Sequence, residues 1–354
     1  MPGKRNIVIV GAGALGGHVG GYLTRNGERI TFVDIWPEHV EVMRRDGLTL
    51  RGQTAPENFT TKVKAWHITE LQEAAKAEPF DIAFVSMKSY DTLWATEMIK
   101  QYLAPDGFIV SLQNSINEER IASVVGWGKT VGCIASTIAV ELVKPGLVQR
   151  NVQLGGANHT VFRIGEPHGR ITPRVKEIAE MLSVVDSTKT TENLWGERWS
   201  KLIVNSMRNP VSAATGRGGN GNDRDPVTRR LAIRIASEAI TVGLAHGYTL
   251  EKIYKMDPMQ VKAAGDGDAT AMAACEKILL DNTQFRNDEQ RPSMGQDIQK
   301  GRRTEIDYIN GLVVEKAREL SIKTPANEGI IAAVKKVERG EAKPSPEIVA
   351  GISW

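Results

Sequence analysis

Apolar residues come in short continuous runs over the first half of the chain and at helical spacing over much of the second. Residues 7–10, 29–33, 80–87 and 107–114 are rich in β-branched and aromatic side chains, which predicts buried strands. Amphipathic stretches lie between them. One covers 18–26, which Gly27 can stop; a second begins near Pro37 and runs out at Asp46-Gly47; others cover 70–77 and the stretch from Lys88-Ser-Tyr-Asp91 to Gln101. Short strands at 48–50 and 59–65 flank a polar turn. Runs at 130–134, 138–142, 146–149, 153–154 and 161–164 read as an antiparallel extension of the sheet, with Pro145-Gly146 as a turn. A helix over 171–184 and a linker or edge strand over 188–192 follow. Alternating strands and helices predict an α/β unit with a doubly wound parallel sheet.

Strand-like runs stop near residue 194. Helical periodicity then covers 194–214, 226–246, 269–281, 294–320 and 324–338. Residues 1–191 therefore form one expected domain, 192–342 an all-α second domain, and 343–354 a Pro-containing tail. Two stretches break the helical pattern, the glycine-rich 216–223 and the polar 256–268. The first follows a helix rather than a strand, which makes it a connection and not a phosphate loop.

One motif changes the reading of the first domain. After strand 7–10 comes Gly11-Ala12-Gly13-Ala14-Leu15-Gly16, the G-x-G-x-x-G spacing at a strand-to-helix junction. The first glycine permits a tight turn, the second lets backbone approach a pyrophosphate, and the third lets the helix pack close to the strand. The helix N-terminus offers unpaired N–H groups to the phosphates. The second strand ends at Asp34, about 20 residues on, where a carboxylate can hold ribose hydroxyls. In such a sheet the carboxyl ends of the strands line the binding crevice, so Gly11 to Gly16, Asp34, Lys88 and Asn114 share one rim. These features predict a dinucleotide-binding domain, with an ordinary tight glycine turn as the alternative.

Composition adds exclusions. The chain has 354 residues, 41% hydrophobic and 25% charged, with a net charge of +3, too small to argue for nucleic acid or an anionic membrane as partner. Cys133 and Cys275 cannot build a disulfide framework and are expected to be buried thiols; no metal cluster is expected. No apolar run is long enough to span a membrane, and the residues before strand 7–10 do not read as a signal peptide. The cytoplasm is the expected location. His18 is expected on a helix surface and His39 beside a loop, neither with a catalytic role.

The second domain carries the candidate chemistry. Lys201, Asn205 and Asn209 are spaced four apart, which puts an ammonium and two amides on one helix face among the apolar Leu202, Ile203 and Val204. A buried lysine can have its pKa lowered and act as a general acid, supplying the proton that a developing alkoxide needs. Ser293, Asp297, Gly301 and Glu305 repeat the four-residue interval, and Glu305 could pair with Lys201 or orient a substrate hydroxyl. A structural amide ladder and a solvated helix face account for the same spacings.

These segments resemble the ketopantoate reductase (2-dehydropantoate 2-reductase) family. The likeness rests on Trp199-Ser-Lys-Leu-Ile-Val-Asn205 with Asn209-Pro210, on Ser293-Met with Gln296-Asp-Ile298, and on Thr304-Glu-Ile-Asp-Tyr-Ile-Asn-Gly311. Gly11 to Gly16, Lys88 and Asn114 extend it over nearly the whole chain. The resemblance implies a Rossmann domain, a helical C-terminal domain of the 6-phosphogluconate-dehydrogenase type, and an active site in the cleft between them. It implies hydride transfer between NAD(P)H and a 2-keto acid, with Lys201 as general acid and Glu305 as its partner. It assigns Asn114, Asn205, Asn209 and Ser293 to substrate or the nicotinamide end, and Lys88 to the cofactor crevice. It also implies a homodimer acting on a small 2-keto or 2-hydroxy acid.

Four departures from the family pattern stand out. Asp34 occupies a position where family members commonly carry a basic or small residue; a carboxylate there accepts from a ribose 2′-OH and repels a 2′-phosphate, which favours NAD(H) over NADP(H). Ser115 stands where a glycine is usual, which predicts a differently shaped loop. Gly295 replaces a bulkier apolar residue, which predicts a wider pocket. The segments at 216–223 and 256–290 look longer than ordinary. Two other functions fit the same features: an NAD-dependent dehydrogenase of a bulkier 2-hydroxy acid or secondary alcohol, and a dinucleotide-binding sensor without turnover.

Overall fold

The computed structural model describes residues 4–353 except Arg286 and Glu289, and the side chains of all of these except Ala75 and Phe285. Met1 to Gly3 ahead of the first strand, Arg286 and Glu289 of the long segment, and Trp354 of the tail lie outside the described residues. The chain divides between Leu194 and Trp195 into two compact units.

The described residues of the first unit hold twelve strands: β1 (Asn6–Val10), β2 (Arg29–Asp34), β3 (Leu48–Arg51), β4 (Phe59–Thr61), β5 (Lys64–His67), β6 (Phe80–Val85), β7 (Leu103–Ser111), β8 (Thr130–Ala135), β9 (Val140–Lys144), β10 (Leu147–Arg150), β11 (Phe162–Gly165) and β12 (Thr188–Thr190). Its helices are α1 (Ala14–Arg25), α2 (Pro37–Asp46), α3 (Thr92–Lys100), α4 (Glu118–Val125) and α5 (Pro173–Leu182). Eight strands form the main sheet in the order β12-β11-β8-β7-β6-β1-β2-β5. Every pair is parallel except β8 with β11. The chain winds outward from β1 through β2 to β5, then returns to β6 on the other side of β1. That reversal is the topological switch point, and the glycine motif sits on it.

Strand alternation divides the core. Ile7, Ile9, Phe32, Ile82, Phe84 and Val110 bury on one face of the sheet, and Val8, Val10, Val33, Ala83, Val85 and Ile109 on the other. The first face is covered by α1, and α1 is covered in turn by a second sheet of order β4-β3-β10-β9. A Cβ on Gly20 would lie 2.5 Å from the Phe32 ring, and one on Gly21 would lie 2.5 Å from Leu50 Cδ1. Paired glycines thus let one helix fit between two sheets.

This second sheet corrects the sequence reading. Strands β9 and β10 of residues 138–149 do not extend the main sheet, since β10 pairs with β3 and β9 with β10; the main sheet is continued by β8, parallel to β7, and then by β11 and β12. Residues 59–65 are two strands, β4 and β5, that belong to different sheets. Residues 153–154 are not a strand, and 68–76 winds as a 3₁₀ rather than an α-helix. Burial of α1 on both sides also overturns the expected surface placement of His18, which is 1% exposed. His39, expected beside a loop, is fully buried within α2. Cys133 and Cys275 are buried free thiols.

The second unit is helical: α6 (Leu194–Thr215), α7 (Gly219–Arg224), α8 (Pro226–Ala245), α9 (Pro258–Gly265), α10 (Ala269–Asp281), α11 (Ser293–Gln299), α12 (Ile306–Glu319), α13 (Pro325–Glu338) and α14 (Glu347–Ala350). The buried α8 backs α6: the Trp199 indole N–H donates to Ala239 O at 2.8 Å, and a Cβ on Gly243 would meet that ring at 2.2 Å. The glycine-rich 216–223 is not irregular throughout, since α7 forms within it. Thr215 Oγ1, itself a donor to Val211 O, meets Asn222 Oδ1 at 2.9 Å, and Arg208 ion-pairs with Asp223. The 256–268 stretch likewise contains α9, capped by Asp257, whose side chain accepts from Met259 N and Gln260 N. Among the described residues no helix is long and apolar enough to cross a membrane.

Candidate active site

In the first unit the three glycines do different work. Gly11 has φ +96°, and a Cβ there would lie 2.7 Å from Met87 Sδ. Gly16 is tighter: its Cβ would fall 2.0 Å from Gly11 O and 2.2 Å from Ser86 Oγ, which itself donates to Gly11 O at 2.7 Å. These two glycines close the strand–loop–helix junction. Gly13 is the opposite case: apart from its own residue and the adjoining backbone, no heavy atom lies within 4 Å of where a Cβ would stand. It is the N-cap of α1 and supplies no side-chain cap. An uncapped helix end beside open space suits a pyrophosphate, so the residues present fit a dinucleotide.

Asp34 ends β2 with 9% exposure. Its Oδ2 accepts from Ala12 N at 2.7 Å and its Oδ1 from Trp36 N at 2.9 Å. A carboxylate has about four acceptor sites, so capacity is left for ribose hydroxyls. The loops after β6 and β7 are tied together. Asn117 Nδ2 donates to Ser89 Oγ at 3.1 Å and Asn114 O at 2.8 Å, while Gln113 Nε2 donates to Met87 O and Thr92 Oγ1, both at 2.9 Å. Lys88 and Asn114 therefore stand on two cross-linked loops of the same rim. Ser115 takes φ +66°, the left-handed conformation that a glycine adopts without strain.

In the second unit Lys201, Asn205 and Asn209 lie along α6 as the spacing predicts. Asn209 Nδ2 donates to Ser293 Oγ at 3.5 Å, which brings the first residue of α11 to this face. Asn205 Nδ2 is buried without a hydrogen-bond partner among the described residues. An unmet buried donor costs about 1–3 kcal/mol, which an oxygen acceptor on a ligand would recover.

The single helix expected over 294–320 does not exist. Gly301 N–H donates to Ile298 O at 3.1 Å and Arg302 N–H to Asp297 O at 2.8 Å, with Gly301 at φ +61°. That pair of bonds is a Schellman ending, and it stops α11. Ser293, Asp297, Gly301 and Glu305 consequently share no helix face. Glu305 instead becomes the N-cap of α12, with 4% exposure and its carbonyl accepting from Tyr308 N and Ile309 N. Gly295 does not widen a pocket either: Ser212 Oγ lies 2.6 Å from where its Cβ would be, so the missing side chain lets α11 approach α6.

Sequence reasoning missed Asn310. Pro210 lies inside α6 and has no N–H for the carbonyl of Ser206. Asn310 Nδ2 supplies that donor at 3.1 Å, and also donates to Asn327 Oδ1 at 3.0 Å. It thereby ties α12 to the helix that carries Lys201. The signal was available: a proline in a strong helical pattern leaves a carbonyl that some other group must serve.

A dinucleotide cradle in one unit and an ammonium–amide helix face in the other place the chain in the class of nicotinamide-dependent oxidoreductases. Residues 7–162 match the family model described as ketopantoate reductase PanE/ApbA, and residues 193–338 match ketopantoate reductase PanE/ApbA C terminal. The chain belongs to the ketopantoate reductase family. A 2-dehydropantoate 2-reductase of Pyrococcus horikoshii is 32% identical over 94% of this chain and 97% of its own length. The crystal structure of a PanE/ApbA family ketopantoate reductase from Ralstonia eutropha JMP134 matches with a TM-score of 0.76 and 25% identity, over 95% of this chain and 99% of that one. A D-mandelate dehydrogenase solved with NADH and anilino(oxo)acetate matches with a TM-score of 0.77 over 94% and 98%, but at 21% identity the likeness is one of fold. The comparisons favour the reductase over both the bulkier-substrate dehydrogenase and the sensor.

Proposed function

We propose that this chain reduces a 2-keto acid of the 2-dehydropantoate type, drawing on NADH. The observation that carries the proposal is the α6 face, where the Asn205 amide is a buried donor without a partner among the described residues, one turn from Lys201. Gly11 to Gly16 would hold the pyrophosphate, Asp34 the adenosine ribose and Lys88 the cofactor crevice. When bound there, the dihydronicotinamide would supply hydride to the keto carbon. As the new C–H bond forms, the C=O π pair moves onto oxygen, and the Lys201 ammonium gives that oxygen its proton. Glu305, buried at the head of α12, orients the new hydroxyl and supports proton return to Lys201. Asn205, Asn209, Ser293 and Asn114 position the carboxylate and hydroxyl groups of the substrate by hydrogen bonds, which hold the keto carbon in a reactive orientation.

The cofactor preference rests on Asp34. Its carboxylate is fixed by two backbone N–H donors and cannot swing away from a 2′-phosphate without breaking them. Like charges held this close oppose NADPH. The oligomeric state belongs to the same proposal: a homodimer, which sedimentation of the purified chain checks. The functional test is the loss of reduced-nucleotide absorbance with a panel of 2-keto acids. Turnover of 2-dehydropantoate with NADH, and a lower kcat/KM with NADPH, is the expected result. Turnover with NADPH alone would overturn the role given to Asp34, and no turnover with any keto acid would overturn the reaction.

A further inference from the structure

One peptide group in the glycine loop is held on both sides. Ala12 N–H donates to Asp34 Oδ2 at 2.7 Å. Ala12 O lies 2.9 Å from His39 Nε2, and the other ring nitrogen, Nδ1, accepts from Gly146 N–H at 2.9 Å. Accepting at Nδ1 fixes the tautomer: the proton is on Nε2, which donates to Ala12 O. The imidazole is fully buried. Gly146 sits in the turn between β9 and β10 with φ +73°, so the ring bridges the second sheet to the glycine loop.

We propose that His39 is a positioning residue for the cofactor's pyrophosphate, acting through the Ala12–Gly13 peptide. The peptide is planar and trans, so the carbonyl of Ala12 and the N–H of Gly13 point in opposite directions. A donor that draws Ala12 O toward the buried ring turns Gly13 N–H away from it. Gly13 is the residue with open space beside it and stands at the N-cap of α1. His39 therefore aims a backbone donor at the place a phosphate oxygen would occupy, and Gly146 keeps the ring in the tautomer that can do so. The role rests on the dinucleotide reading above.

Two conservative variants separate the ring's contacts. In His39→Asn the amide oxygen can replace Nδ1 toward Gly146, but no donor reaches Ala12 O. In His39→Gln the amide nitrogen can replace Nε2. Titration calorimetry with ADP-ribose, NADH and adenosine reads the effect. His39→Asn is expected to weaken ADP-ribose and NADH about tenfold, the scale of one hydrogen bond to an ordered loop. Adenosine, which has no phosphate, should change less than twofold, kcat at saturating NADH should hold within twofold, and His39→Gln should recover most of the loss. Equal weakening of adenosine and ADP-ribose would show a general structural role and overturn the proposal, as would unchanged ADP-ribose binding in both variants. Failure of the wild-type chain to bind any of the three would instead overturn the dinucleotide reading. Thermal melts of both variants check that the fold is retained.

Discussion

His18 allows a stability prediction with a worked magnitude. It lies on α1 two residues beyond Gly16, between the two sheets, and neither ring nitrogen has a hydrogen-bond partner among the described residues. Burial, reinforced by the nearby Arg150 guanidinium and opposed by Asp186, pushes its pKa down from 6.5 to about 3. The unfolded chain takes up this proton below about pH 6.5, whereas the folded chain resists until about pH 3. Stability is thus fully present above the unfolded value and is lost as pH falls toward the folded one. Between pH 7 and pH 5 the loss amounts to about 2 kcal/mol. For a unit of this size that is a Tm decrease of about 4–8 °C. Circular dichroism melts of the wild type and His18→Leu at both pH values measure it. The leucine variant should match or exceed the wild type at pH 7, because an apolar side chain replaces two unmet polar atoms. It should lack the extra loss at pH 5. Acid-labile groups elsewhere are common to both proteins, so equal losses in the two would refute the reasoning. The helix concerned carries the N-terminus proposed to hold the pyrophosphate, so on that proposal acid should release bound dinucleotide in parallel.

Gly16→Ala should unfold or strongly destabilise the first unit, by about 3 kcal/mol or more, since its Cβ would sit 2.0 Å from Gly11 O. Gly13→Ala should instead melt like the wild type but bind NADH more weakly; melting curves and titrations of both distinguish the two. Asn310→Ala orphans the acceptors Ser206 O and Asn327 Oδ1 and should cost about 2–4 kcal/mol in urea unfolding, with kcat reduced through the displaced α6. The Cys275 thiol, pushed up to about 11 by burial, should stay unreactive to a thiol-specific reagent at pH 7 until the chain is unfolded.

The parts of the fold that local rules govern are legible in the sequence. Strand β1, the glycine motif, the stop at Gly27 and the acid at the end of β2 depend on hydrophobic runs and on turn chemistry close in sequence. What escaped depends on partners distant in sequence. Residues 138–149 have the pattern of any short strands, and only the pairing of β10 with β3, and of β9 with β10, puts them in a separate sheet over α1. That placement buries His18 and His39, which no periodicity announces. Helical propensity runs through 294–320, but Gly301 in the left-handed region ends α11 and converts Glu305 from a mid-helix residue into a cap. The spacing argument for Lys201, Asn205 and Asn209 succeeded because α6 is continuous; the parallel argument for Ser293 to Glu305 failed because its helix is not.

The central claim is that Lys201 protonates the oxygen of a reduced 2-keto acid. Steady-state reduction of 2-dehydropantoate by NADH, compared between the wild type and Lys201→Ala, tests it most directly. A kcat lower by about 10²-fold or more, with NADH affinity unchanged, is the predicted result, the usual scale for loss of a general acid. A variant that keeps the full kcat of the wild type would contradict the account.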